Sequence, residues 1–229
     1  MQKSIDSAAR VRVVTSQNAK LYLKPNLNLP DSVQTIAKET FQNKHLIESV
    51  ILPDSLTQIG AKAFQDCIHL KSVTWSDNLK KIGVQAFSGC KELKAIVLPA
   101  QLEIIPRRCF YRCRALETVT FPSNLQAIEF AAFEFCNMKE LNLPDTLQII
   151  EDRAFFRCNQ LIEVHIPKNV KAIGTDAFHG CDRLKILEIL HDPEFLGERI
   201  VNKTTVIRCY EHSKTARYCM KSGIPTEYL

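Results

Sequence analysis

The sequence contains no run of some twenty apolar residues, and its opening stretch, MQKSIDSAARVRVV, carries charges where a secretory leader needs an unbroken apolar core. The first absence excludes insertion of an apolar helix into a membrane. The second favours a cytoplasmic location, with a secreted or surface protein as the alternative if the chain is an excised fragment. A strong charge bias is missing as well: the net charge of +5 is spread over 30 basic and 25 acidic residues, so composition does not impose a nucleic-acid partner. Enzyme signatures are absent, with no Gly-rich phosphate loop, no His-Glu-x-x-His and no nucleophile elbow. His45, His69, His165, His179, His191 and His212 do not recur in a column with a nucleophile. No catalytic residue and no cofactor are assigned, and the chain reads as a non-enzyme.

What the sequence does contain is a period. Aligned on Ala-Phe pairs, phenylalanines fall at Phe64, Phe87, Phe110, Phe133, Phe155 and Phe178, with Phe41 as a degenerate first member. The spacings are 23, 23, 23, 23, 22 and 23 residues. A fixed period of this length predicts stacked coils, each unable to bury its own apolar stripe and each covering its neighbour. With 229 residues and 45% hydrophobic content, one elongated domain accommodates the whole repeat.

Each coil carries two short apolar patterns. The first, as in LKSVTW (Leu70 to Trp75) and LETVTF (Leu116 to Phe121), alternates like a strand with one buried face and ends at Pro53, Pro99, Pro122, Pro144 or Pro167, because proline cannot donate to a ladder. Ser76 holds that place after Trp75. The second, L-x-x-I, returns the chain along the opposite wall, and the Ala-Phe-x-x-Cys segment that follows has apolar spacing suited to one helical turn. The 22-residue step is a one-residue deletion near Cys136-Asn137-Met138, which a turn is expected to absorb without loss of register.

Six of the nine cysteines, Cys67, Cys90, Cys113, Cys136, Cys158 and Cys181, lie three residues after a phenylalanine and form one column. A column pointing inward at every coil reads as a reduced packing ladder, since free cysteine behaves as a small buried hydrophobe. Lys44 replaces it in the first coil. Cys209, His212 and Cys219 have the letters of zinc ligands, but C-x2-H-x6-C lacks a fourth member and common structural spacing, so no metal site is assigned.

Residues 1–26 are expected to form an N-terminal cap, with a short strand near Val11, Val13 and Val14 and alternation of Leu21 and Leu23 around Tyr22. Residues 27–189 are the solenoid, of about seven coils. Residues 190–229 are expected to cap its far end, with a short helix from Ser213 as N-cap to Met220, stopped by Gly223.

The letters L-P-x-x-L-x-x-I-G-x-x-A-F-x-x-C-x-x-L, repeated from about Leu27 to Ile189, resemble the BspA-like family of leucine-rich repeats, found on bacterial surface proteins and in some protist parasites. The ending VIRCYEHSKTARYCMKSGIP is similar to that family's closing segment. The resemblance implies a right-handed leucine-rich-repeat superhelix, α/β to mainly β, with terminal caps. It also implies adhesion or protein binding, not catalysis.

Two faces follow from the alternation. On the strand wall the outward residues run from Ser49 and Ile51 through Ser72, Thr74, Ala95, Val97, Thr118 and Thr120 to Glu140, Asn142, Glu163, His165, Ile186 and Glu188. This wall grades from small and neutral to acidic and is the expected contact surface for another protein. On the turn wall, Arg107, Arg108, Arg112 and Arg114 lie in one coil, with Arg153, Arg157 and Arg183 in later ones. Stacked, they form a basic ridge beside Tyr111, Phe135 and Phe156, the alternative site, for nucleic acid or another polyanion. A structural or self-associating spacer, or an adhesin fragment, is the remaining alternative.

Overall fold

The computed structural model describes residues 11–229. Residues 1–10, part of the expected N-terminal cap, lie outside them. The chain winds as a leucine-rich-repeat solenoid with a front strand wall, a back strand wall and a turn wall. Back-wall strands occur at Val13–Val14, Thr35–Ile36, Gln58–Ile59, Lys81–Ile82, Ile104–Ile105, Ala127–Ile128, Ile149–Ile150, Ala172–Ile173 and Phe195–Leu196, in two parallel groups that break between Lys81–Ile82 and Ile104–Ile105. The stack therefore has about nine turns instead of the expected seven. The extra rungs escape the motif because they lack its letters: Val14 pairs with Ile36, and Phe195–Leu196 continues the ladder from Ala172–Ile173.

Seven phenylalanines, Phe41 to Phe178, are fully buried and stack face to face, one per coil. Their ring centroids are 5.1–5.8 Å apart and adjacent rings are tilted by only 2–16°. Across the 22-residue step, Phe133 and Phe155 stay stacked at 5.6 Å. The cysteine column lies beside them, buried and unbridged. Each thiol donates to the carbonyl of the phenylalanine one coil earlier, as from Cys113 Sγ to Phe87 O at 3.1 Å. Burial pushes the thiols of Cys67, Cys113 and Cys181 up to about 12, so they act as weak donors and not as nucleophiles.

The Ala-Phe-x-x-Cys segments are not helical turns. Two residues in each, two positions before and two after the phenylalanine, have left-handed backbone: Arg108 (φ 53°) and Arg112 (φ 59°) flank Phe110, and Arg153 and Arg157 (both φ 57°) flank Phe155. A continued right-handed turn would aim its N–H groups back into its own coil. The left-handed residues instead aim three per coil at the next, as Arg108, Phe110 and Arg112 donate to Phe130, Ala132 and Glu134 at 2.9, 2.8 and 2.8 Å. Non-glycine residues in this region cost about 1–2 kcal/mol each, and the intercoil bonds offset that cost. At Gly83 the backbone also needs the space, because a Cβ there would meet the backbone N of Ala61 at 2.3 Å.

The front wall is less continuous. Its strands form three parallel groups: Asn26–Asn28, Ser49–Ile51 and Ser72–Thr74; Ala95–Val97 and Thr118–Thr120; and Glu163–Ile166, Ile186–Ile189, Val206–Cys209 and Thr226–Tyr228. Both interruptions follow a coil in which an aromatic takes the inward place held elsewhere by leucine or isoleucine. Trp75 stands edge-on to Phe87 at 5.2 Å, and Phe121 edge-on to Phe133 at 5.7 Å. Their bulk spreads the adjoining coils, and the Phe87–Phe110 spacing of 5.8 Å is the widest in the stack. The deletion adds to the second interruption. Asn137 and Lys139 still donate to Leu116 and Glu117, but residues 138–143 form no strand, so the turn does not absorb the missing residue as expected.

At the ends, Val13–Val14 is a strand as expected, whereas Ala19–Leu21 is a 3-10 helix and not an alternating strand, which buries Tyr22. Helix α1, Lys214–Ser222, begins at Ser213, whose side chain accepts from the Ala216 N–H at 3.0 Å, and ends at left-handed Gly223.

Two stability measurements follow. Phe110→Ala is expected to cost about 3–5 kcal/mol in urea unfolding, and Phe41→Ala less, because Phe41 has one stacked neighbour where Phe110 has two. Equal losses would contradict a stack stabilised by neighbours. Gly83→Ala, whose Cβ would meet the neighbouring coil's backbone, is expected to destabilise by more than the roughly 1 kcal/mol of backbone strain that a left-handed position carries, whereas Gly223→Ala, which has open space around it, should lose only that strain.

Candidate functional site

The front wall presents the expected outward column. Ser72, Thr74, Ala95, Val97, Thr118, Thr120, Glu140, Asn142, Glu163 and His165 are all exposed. Val97 is 65% exposed and Ile51 47%, unusual values for aliphatic side chains on an ordered sheet. Parallel register lines up Ala95 with Thr118 and Val97 with Thr120, giving a row of short side chains with little depth.

The far end of this wall is more elaborate than an acidic strip. Register places Glu188 beside His165 and Arg208. Its carboxylate is 2.6 Å from His165 Nδ1 and 3.2 Å from Arg208 Nη1. Arg208 also reaches Glu163 at 3.4 Å and Glu227 at 3.2 Å. Burial works against the charged form of Glu188, yet the hydrogen bonds from His165 and Arg208 outweigh it and hold the carboxyl below the usual range. Arg208 lies beyond the last repeat legible in the sequence, so sequence reasoning missed it. The alternating VIRC of its strand was the available signal.

Where residues 138–143 drop out of the sheet, a recess of about 530 Å³ opens, lined by Glu140, Asn142, Ile162, Glu163, His165 and Arg183 among others. Arg183 belongs here and not to the ridge: it donates to Gln160 at 2.6 Å. On the back wall, Ile104, Ile149 and Phe195 form a second exposed apolar column, 42–55% exposed, with Ala127 and Ala172 between them. The first residue of each back-wall strand was the signal for it.

The turn wall brings most of the predicted arginines together. Their guanidiniums lie over aromatic rings: Arg107 and Arg108 over Phe130 at 5.2 and 5.4 Å, Arg108 and Arg112 over Tyr111 at 5.5 and 5.0 Å, and Arg153 over Phe156 at 4.4 Å. Arg112 and Arg157 both reach Phe135, and Arg157 also reaches Phe156. Arg114 is exposed at the edge of this group. The rings form a file, Tyr111, Phe135, Phe156 and His179, at 5.9, 6.1 and 6.0 Å. At its centre is Glu134, only 4% exposed in its side chain, bonded to Arg153 at 2.7 Å. Burial raises its carboxyl above the usual range despite Arg153, Arg108 and Arg112 nearby.

Cys209 and Cys219 are buried, while His212 is 89% exposed in its side chain and faces Glu211, so the three do not converge on a metal. Among the described residues, no helix is long and apolar enough to cross a membrane.

The family described as BspA type leucine rich repeat region matches residues 21–136 and 85–208, in six copies. No curated protein matches the sequence. Among solved structures, a leucine-rich repeat protein from Bacteroides ovatus is similar with a TM-score of 0.63 at 22% identity, over 89% of this chain. The chain spans 60% of that protein's length. The leucine-rich repeat protein of T. pallidum matches over 90% of this chain and 86% of its own, with a TM-score of 0.52 and 24% identity. A leucine rich cell surface protein from Faecalibacterium prausnitzii matches over 83% and 70%, with a TM-score of 0.52 and 23% identity. At these identities the likeness is one of fold, and the repeat itself decides the assignment: the chain belongs to the BspA-type leucine-rich-repeat family.

Proposed function

We propose that the chain is a non-enzymatic recognition scaffold that binds another protein through its front wall. The observation that carries this reading is the in-register row of exposed short side chains around Val97, ending in the acidic cluster of Glu140, Glu163, Glu188 and Glu227. Small side chains let a partner approach the sheet closely, and exposed valine and isoleucine give it apolar area to cover. The acidic end favours a partner that is basic at one side, which fixes its orientation and speeds encounter.

The unbridged thiol column suits a reducing, cytoplasmic compartment. The competing placement is the cell surface, where the Faecalibacterium protein belongs.

The test compares partners retained by the wild-type chain with those retained by Val97→Arg and Thr120→Arg, using Lys171→Glu on another face as control. Front-wall variants are expected to weaken the specific partner at least about tenfold, roughly 1.4 kcal/mol, with the control unchanged. Retention of every partner by both front-wall variants would contradict the reading.

A further inference from the structure

The arginine ridge is unusual in where its charges go. Two arginines elsewhere find carboxylates, Arg199 with Asp176 and Arg208 with three glutamates, while Arg183 donates to Gln160 and Arg217 to the His212 carbonyl. Among the described residues, the ridge has one such pair, Arg153 with Glu134. The other nearby acids are tied to backbone N–H groups, Glu129 to Arg107, Glu151 to Phe130 and Asp152 to Thr175, at 2.9, 2.7 and 2.7 Å. Arg107, Arg108, Arg112 and Arg157 are left on aromatic faces with no carboxylate within ion-pair distance.

Glu134 explains how the cluster is tolerated. It sits one coil after Arg108 and Arg112 and one coil before Arg153, so a single buried carboxylate lies amid three cations. The backbone adds order, because Arg108, Arg112, Arg153 and Arg157 occupy left-handed positions fixed by the intercoil hydrogen bonds.

We propose that this file of rings and guanidiniums binds single-stranded nucleic acid lying along the solenoid axis. A guanidinium stacked on a ring keeps its N–H edge free, and that planar fork matches phosphate. The rings decide between polyanions. An aromatic face is negative, so an acidic peptide or sulfated glycan gains little from it. A base gains stacking from any aromatic platform, whatever its sequence. The file is one ring wide and advances about one ring per coil, at 5.9–6.1 Å. Tyr111 meets Phe135 and Phe135 meets Phe156 edge-on, at 74° and 90°, with guanidiniums over their faces, so each base of a single strand meets a ring edge or a ring-backed guanidinium singly and not a continuous stack of faces. This site shares no residue with the front wall, so the two readings stand or fall separately.

The test is fluorescence anisotropy of the full chain with a labelled thymidine 20-mer, with heparin and poly-glutamate as competitors. Neutralising about four phosphates predicts a slope of log K against log salt near −3 (about −0.7 per contact), and Arg112→Ala or Arg157→Ala should each flatten it by about 0.7. Tyr111→Ala and Phe156→Ala should weaken binding about fivefold or more at every salt concentration without changing the slope. Urea unfolding of each variant shows that the solenoid is intact, and Tyr111→Ala serves if Phe156→Ala is destabilised. Absence of binding at low salt would overturn the proposal. So would aromatic variants that bind like wild type while heparin or poly-glutamate competes as well as the oligonucleotide, because the ridge would then recognise charge alone.

Discussion

Stacking of one phenylalanine ring on the next is the interaction on which the rest of the structure depends. No coil encloses its own core, so each inner Phe ring is buried by copies above and below it, and Phe41 and Phe178 by one copy and the terminal rungs. The separation of 5.1–5.8 Å sets the advance per coil, and every other column inherits it. The cysteines fit this spacing for a specific reason. Their thiols reach the carbonyl of the preceding phenylalanine, which an alanine in the same place would leave without that donor.

The turn wall carries the same logic into the backbone. Paired left-handed residues are costly in isolation, yet they turn the peptide N–H groups along the axis and join each coil to the next from Glu39 to Ile200. This wall stays continuous where the strand walls do not. At the Trp75 coil both strand walls are interrupted, but Gln85, Phe87 and Gly89 still donate to Arg107, Cys109 and Tyr111 at 3.0, 3.0 and 2.8 Å. The turn wall is the spine of the molecule and the front wall is its variable surface.

Much of this was legible in the letters. The phenylalanine and cysteine columns, the front-wall alternation and the Ser213 cap each follow from periodicity or from a residue type with one dominant role. The first residue of each left-handed pair was not legible, because Glu39, Lys62, Arg108 and Ala131 give no hint of the glycine or asparagine expected there; the second carries Asn43, Asp66, Gly89 and Gly180 in four coils. The terminal rungs escaped because Val14 and Leu196 carry the stack without the Ala-Phe-x-x-Cys letters. Arg183 shares only its residue type with the ridge, since it lies two residues past its cysteine and faces Gln160 on the recess side. At the acidic end of the front wall, Arg208, which lies beyond the repeat letters, contacts Glu163, Glu188 and Glu227.

The most direct measurement is residue-resolved hydrogen exchange on the intact chain. The account predicts that the amides of Phe64, Phe87, Phe110, Phe133 and Phe155 are protected to a similar degree across both front-wall interruptions, while those of residues 140–143 exchange much faster. Slow exchange at 140–143 together with fast exchange at Phe87 and Phe110 would contradict a continuous turn-wall spine.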